Sequence, residues 1–92
     1  MKIILWDEQK NAWLKQNRRL GFERVAALME QGQVLDLMDH PDQEKYPNQR
    51  MAIVEVDGYA YLVPYVEDSE TVFLKTVIPS RKATRKYLGR AK

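Results

Sequence analysis

The sequence contains no cysteine and a single histidine, and no acidic residue follows Glu70. Without cysteine there is no disulfide framework, no thiolate metal site and no thiol nucleophile. His40 alone supplies no set of imidazoles for a metal, so no metal or other cofactor is expected. No apolar run approaches the roughly 20 residues that span a bilayer, so no membrane partner is expected. The opening MKIILWDEQK has an apolar run of only four residues before an acidic pair. That is not the pattern of a secretory signal, and the expected compartment is the cytoplasm.

What is present is a chain of 92 residues, 45% hydrophobic and 30% charged. These values point to one globular domain spanning residues 1–92. A chain of this size buries only about 60–65% of its unfolded surface, so its stability should be modest. The net charge of +2 hides an uneven distribution. Residues 1–74 carry eight Lys/Arg against thirteen Asp/Glu, whereas residues 75–92 carry seven Lys/Arg and no acid. Such asymmetry suggests a polyanion or an acidic protein as partner for the basic end.

The β-rich run Lys2 to Trp6 reads as a strand. Asp7 can cap a helix reaching Asn17 or Arg18, with Ala12 and Trp13 on one side and both Trp6 and Trp13 expected in the core. Phe22, Val25, Ala26 and Met29 have the i, i+3, i+4, i+7 spacing of a second helix, which Gly32 stops. Val34 to Met38 reads as a strand and Asp39 to Asn48 as a loop. Strands over 51–56 and 59–66 flank Asp57-Gly58, a strong hairpin signal. Pro64 removes a ladder donor, which suggests an edge or a bulge. A last strand covers 71–78 and Pro79 ends it. Ser80 then caps a helix from Arg81 to Leu88, with Gly89 beyond. The expected order is β-α-α-β-β-β-β-α, an antiparallel meander with helices on one face, hence a two-layer α+β domain. In the final helix Ala83/Tyr87 and Thr84/Leu88 form an apolar seam. Arg81, Lys82, Arg85 and Lys86 lie off it and are thereby held in place.

Two stretches carry a resemblance. Trp6-Asp7, then Lys10, then Phe22-Glu23 resemble the "WD…K…FE" opening of the BrnT-like toxins of type II toxin–antitoxin systems, within the RelE-like ribonuclease group. Pro79-Ser80-Arg81-Lys82-Ala83-Thr84-Arg85 resembles that family's "SARKATRRE" segment. The chain departs from the family at Asn17-Arg18-Arg19, where members often carry Lys-His-Gly. Arg18 stands in place of the histidine, and a guanidinium binds anions but does not shuttle protons near neutral pH. The resemblance implies a RelE-like fold, RNA as substrate, metal-independent cleavage of mRNA, and a cognate antitoxin, of ribbon–helix–helix type, as partner. The missing histidine supports an alternative, a catalytically silent module of the same fold that holds an antitoxin-type repressor or a nucleic acid.

Cleavage of RNA by its own 2′-hydroxyl requires a proton acceptor, stabilisation of the phosphorane and a proton for the leaving oxygen, but no metal. Arg81, Lys82, Arg85 and Arg50 can hold phosphate, and a guanidinium does so with two parallel hydrogen bonds. Arg18 and Lys86 add to an RNA-binding surface. Lys75, beside Phe73 and Val77, is either a partly buried lysine of lowered pKa or an ordinary strand lysine. Tyr59, Tyr61 and Tyr65 alternate along one strand face. They either stack on bases or pack across strands against Phe73 and Ile53, and Tyr61 is kept as an RNA-binding candidate. His40 is either a displaced proton carrier or a turn residue. Glu23 reads as a helix-face residue and a candidate base. Asp36, Asp39 and Asp42 lack the spacing of a calcium loop. The candidate catalytic set is thus Arg81, Lys82, Arg85, Lys75 and His40.

Overall fold

Asp7 separates the first strand from the first helix. In the computed structural model, which describes residues 2–89, its Oδ1 accepts the Gln9 N–H at 2.9 Å. That cap divides β1 (Ile3–Trp6) from α1 (Glu8–Arg18). The buried residues of α1 are Asn11 and Leu14. The expectation for Trp13 fails. It is 43% exposed, with Lys10 Nζ 4.6 Å and Arg18 Cζ 5.1 Å from its ring centroid. The helix phase is fixed by Leu14 and Asn11, one turn apart, and Trp13 is rotated about 100° from Leu14. Trp6 is half-buried, stacked on Phe22 at 5.8 Å.

Asn11 also starts the next helix, α2 (Phe22–Glu30). Its Oδ1 accepts the Phe22 N–H at 2.8 Å and its Nδ2 donates to Glu23 at 2.8 Å. The residue before the helix, Gly21, offers no side-chain cap, so the cap comes from α1. Glycine is required there by crowding: an added Cβ would lie 2.6 Å from Glu23 Oε1 and 2.9 Å from Asn11 Oδ1. Phe22, Val25 and Ala26 form the buried stripe that the spacing predicts.

The remaining elements are β2 (Asp36–Asp39), β3 (Gln49–Val56), β4 (Tyr59–Glu67), β5 (Thr71–Leu74), β6 (Ile78–Pro79) and α3 (Arg81–Leu88). The sheet runs β1-β5-β4-β3-β2. β3 through β5 form the expected antiparallel meander, β2 adds to it antiparallel beside β3, and β1 returns parallel to β5 with Ile3 opposite Thr71 and Trp6 opposite Leu74. Asp57 and Gly58 both take positive φ, 54° and 81°, as a two-residue hairpin turn requires.

The strand expected over 71–78 is two strands. β5 stops at Leu74, Lys75 to Val77 step away, and β6 resumes against Tyr61 and Leu62 of β4. Pro64 sits at the step, buried inside β4 and not at a bulge. Its carbonyl accepts the Lys75 N–H at 2.8 Å. The position of its missing donor therefore faces β5 and β6, and the pairing with β3 loses nothing.

Alternation puts two cores on two faces. Ala52, Val54, Val63, Tyr65, Val72 and Leu74 face α1 and α2, packing on Leu14, Phe22 and Val25. Ile53 and Ala60 face the other way and pack on Ala83, with Leu62, Met38 and Tyr87 around them. The α+β class matches the sequence reading and the element order differs from it by the extra strand β6, but α3 covers the face opposite α1 and α2, whereas the sequence predicts the helices on one face. No helix among the described residues is long and apolar enough to cross a membrane.

Candidate nucleic-acid interface

Helix α3 is tied to the sheet at both ends. At its start, Ser80 Oγ accepts the Ala83 N–H at 3.0 Å, and the Ser80 N–H donates to the Ala60 carbonyl at 3.0 Å. One turn on, the fully buried Thr84 hydroxyl accepts the Ala60 N–H at 2.9 Å and donates to the Ser80 carbonyl at 2.8 Å. Near its end, the Tyr87 hydroxyl donates to Asp36 Oδ2 at 2.6 Å. This bond, followed by the Leu37 N–H, holds the Asp36 carboxyl below its ordinary range, and the same bond raises the Tyr87 phenol. Gly89 ends the helix at φ 67°.

This anchoring leaves Arg81, Lys82, Arg85 and Lys86 exposed on one short helix. The ion pairs among the described residues are Lys2–Glu67, Lys15–Glu23, Arg24–Asp57, Arg50–Asp39 and Arg50–Glu67. None involves α3, although Lys86 lies close enough to Asp36 to help hold that carboxyl below its ordinary range. Lys82 and Lys86 also border a groove of about 180 Å³ between α3 and the sheet, floored by Met38, Ile53, Leu62 and Ala83. Lys75 is exposed in the step between β5 and β6, not buried in a strand, and its Nζ lies 5.4 Å from the Phe73 ring. Phe73 alternates with Val72 and Leu74, so it faces the α3 side of the sheet.

The other candidates lie elsewhere. Arg50 alternates with Ala52 and Val54 and so faces the α1/α2 side. Its Nε lies 3.4 Å from Asp39 Oδ1 and its guanidinium 3.6 Å from Glu67 Oε1, so its charge is already shared. Arg18 closes α1 beside Trp13. Tyr61 packs on the α1/α2 core and meets Tyr59 edge-on at 5.8 Å, while Tyr65 is only 3% exposed. His40 is in the loop after β2, where its Nδ1 accepts the Asp42 N–H at 3.0 Å and its ring lies 4.5 Å from Tyr46. Glu23 pairs with Lys15 at 2.9 Å. That hydrogen bond, more than any other interaction, holds its carboxyl below the ordinary range, the opposite of what a base working near neutral pH needs.

The structure thus gathers Arg81, Lys82, Arg85 and Lys86 and separates them from Arg50, Arg18 and Tyr61. Sequence reasoning missed Asp36 and Asn11 as positioning residues, because neither shows its partner in local spacing. No group of three or more His, Cys, Asp or Glu among the described residues could hold a metal ion. Four exposed cations on a helix anchored to the sheet can bind successive phosphates and stabilise charge developing on one of them. Comparison of the chain with models of protein families, with curated proteins and with solved structures found no match, so what this surface does is argued from its own residues.

Proposed function

We propose that the chain is a toxin of the BrnT-like kind, a metal-independent endoribonuclease that engages mRNA through α3 and is silenced by an antitoxin of ribbon–helix–helix type. The observation that carries this reading is the cluster of Arg81, Lys82, Arg85 and Lys86, none of them in an ion pair among the described residues, on a helix anchored to the sheet. Residues 1–74 are net acidic, so RNA is attracted to this end and repelled from the rest. Arg81, Lys82 and Arg85 would stabilise the phosphorane. An acidic antitoxin segment would compete for the same cations, and opposite charge would speed its association.

The test is titration with single-stranded RNA at several salt concentrations, with mapping of new RNA ends in the presence of chelator. Arg81→Ala, Lys82→Ala and Arg85→Ala each remove one phosphate-binding cation, and each should reduce the salt slope by about 0.7. Removing a donor to the developing charge should lower the cleavage rate roughly 100- to 1000-fold. Full cleavage by all three variants would remove α3 from the active site.

A second reading, a silent RNA- or antitoxin-binding module, is favoured by one observation. The ionisable side chains of α3 are Lys, Arg and a Tyr87 whose hydroxyl is committed to Asp36. RNA binding without new RNA ends in the wild type would select this reading.

A further inference from the structure

The two edges of the sheet are guarded differently. Strand β2 reads Asp-Leu-Met-Asp, with a carboxylate at each end. Strand β1 reads Ile-Ile-Leu-Trp and has no proline, charge or bulge within it. An unguarded strand edge is a template for another strand. The Ile3 N–H donates to the Glu70 carbonyl at 3.0 Å, so the backbone groups of Ile3 and Leu5 point toward β5. Those of Lys2, Ile4 and Trp6 point outward, and β1 pairs with no strand other than β5 among the described residues. On the α3 side of the sheet, Ile3 and Leu5 are 63% and 45% exposed.

We propose that β1 is a homodimer interface, pairing antiparallel with β1 of a second copy about a two-fold axis at Ile4. A second copy fits because the segment complements itself in this orientation. Ile4 meets Ile4, and the outward backbone groups of Lys2 and Trp6 meet those of Trp6 and Lys2. Ile3 lies beside Leu5 of the second copy on the same face, so the exposed pair covers its own image. The charges also match. Lys2 precedes the strand and Asp7 and Glu8 follow it. Antiparallel pairing brings Lys2, whose ammonium is paired with Glu67 at 2.7 Å in its own chain, beside Trp6 of the second copy, whose indole N–H is bonded to Glu8 at 3.1 Å. Parallel pairing would set Lys2 against Lys2. The edge is short, so the dimer is weak and concentration-dependent.

The test is sedimentation of the whole chain over a series from micromolar to millimolar, with amide exchange read by NMR. The mass should rise from 10.8 kDa toward twice that value. The Ile4 amide should gain protection only at high concentration, whereas the Ile3 amide is protected throughout. The doubly substituted Ile3→Lys/Leu5→Lys and Ile3→Glu/Leu5→Glu chains should each stay monomeric, and mixing them should restore association by pairing Lys with Glu across the axis. A constant mass in the wild type would overturn the proposal. So would a dimer whose Ile4 amide stays unprotected, or charged variants that self-associate as the wild type does.

Discussion

Replacing Thr84 with valine keeps the shape of the side chain and removes its hydroxyl. Thr84 and Ala60 are both fully buried, and the Thr84 hydroxyl is the acceptor for the Ala60 N–H at 2.9 Å. The Ser80 carbonyl loses one donor but keeps the Thr84 N–H at 3.0 Å, so a single group is orphaned. Leaving a buried N–H unpaired costs about 1–3 kcal/mol. At roughly 4–8 °C per kcal/mol for a domain of this size, a loss near the middle of that range lowers Tm by about 8–16 °C. Thr84→Ser is the control. It keeps the hydroxyl and loses a methyl group, at about 1 kcal/mol. The assay is thermal and urea unfolding followed by circular dichroism, with exchange of the Ala60 amide as the local readout. Valine should be the more damaging change, and the Ala60 amide should exchange faster only in that variant. A Thr84→Val protein that melts with or above the wild type would refute the premise that this hydroxyl anchors α3.

Asn11→Ala removes the cap of α2 and leaves the Phe22 N–H unpaired; stability should fall by about 1–3 kcal/mol, read by urea titration. Gly21→Ala drives a Cβ against Asn11 Oδ1, Lys15 Cε and Glu23 Oε1. The Lys15 and Glu23 tips can move but Asn11 is held, so a loss of roughly 1–3 kcal/mol is expected in the same assay. Asp36 has a depressed pKa when folded. Its contribution is therefore complete above the ordinary carboxylate range and is lost as pH falls through the lower folded value. Tyr87 has a raised pKa, so its contribution is complete below the ordinary tyrosine range and is lost as pH rises through the folded value. Asp36→Asn should flatten the acid limb of α3 amide protection measured by NMR, and an unchanged limb would show that this pair does not hold the helix.

Much of the fold was legible because its signals are local. Ser80 and Gly89 mark both ends of α3, Asp57-Gly58 marks the hairpin, and the stripe from Phe22 to Ala26 gives α2 its buried face. The break after Leu74 was not legible. Thr71 to Ile78 is uniformly strand-forming, and the step is set by the neighbouring strand, where Pro64 supplies an acceptor but no donor. Trp13 misled because its size suggests a core residue, whereas the helix phase is decided by Leu14 and by Asn11, whose partner lies in another helix. The members of the basic surface could be read from charge alone. That Arg50 lies across the sheet from them could not, since this depends on which face of β3 its parity selects and which face α3 covers.

The step between β5 and β6 has a consequence for how the molecule opens. β6 and α3 hang on the first half of β4 through Ala60, Tyr61 and Leu62, while β5 and β1 are paired along its second half and beyond. The basic helix and its short strand can therefore peel away as one unit, hinged after Val77, whose side chain stays buried in the core under α1 and α2, while the β1-β5-β4-β3 ladder stays closed. The free energy of that partial opening sits below that of global unfolding. A ligand that grips α3 and the sheet together closes the hinge, so its affinity is coupled to the protection of the Ala60 and Ser80 amides even though it touches neither.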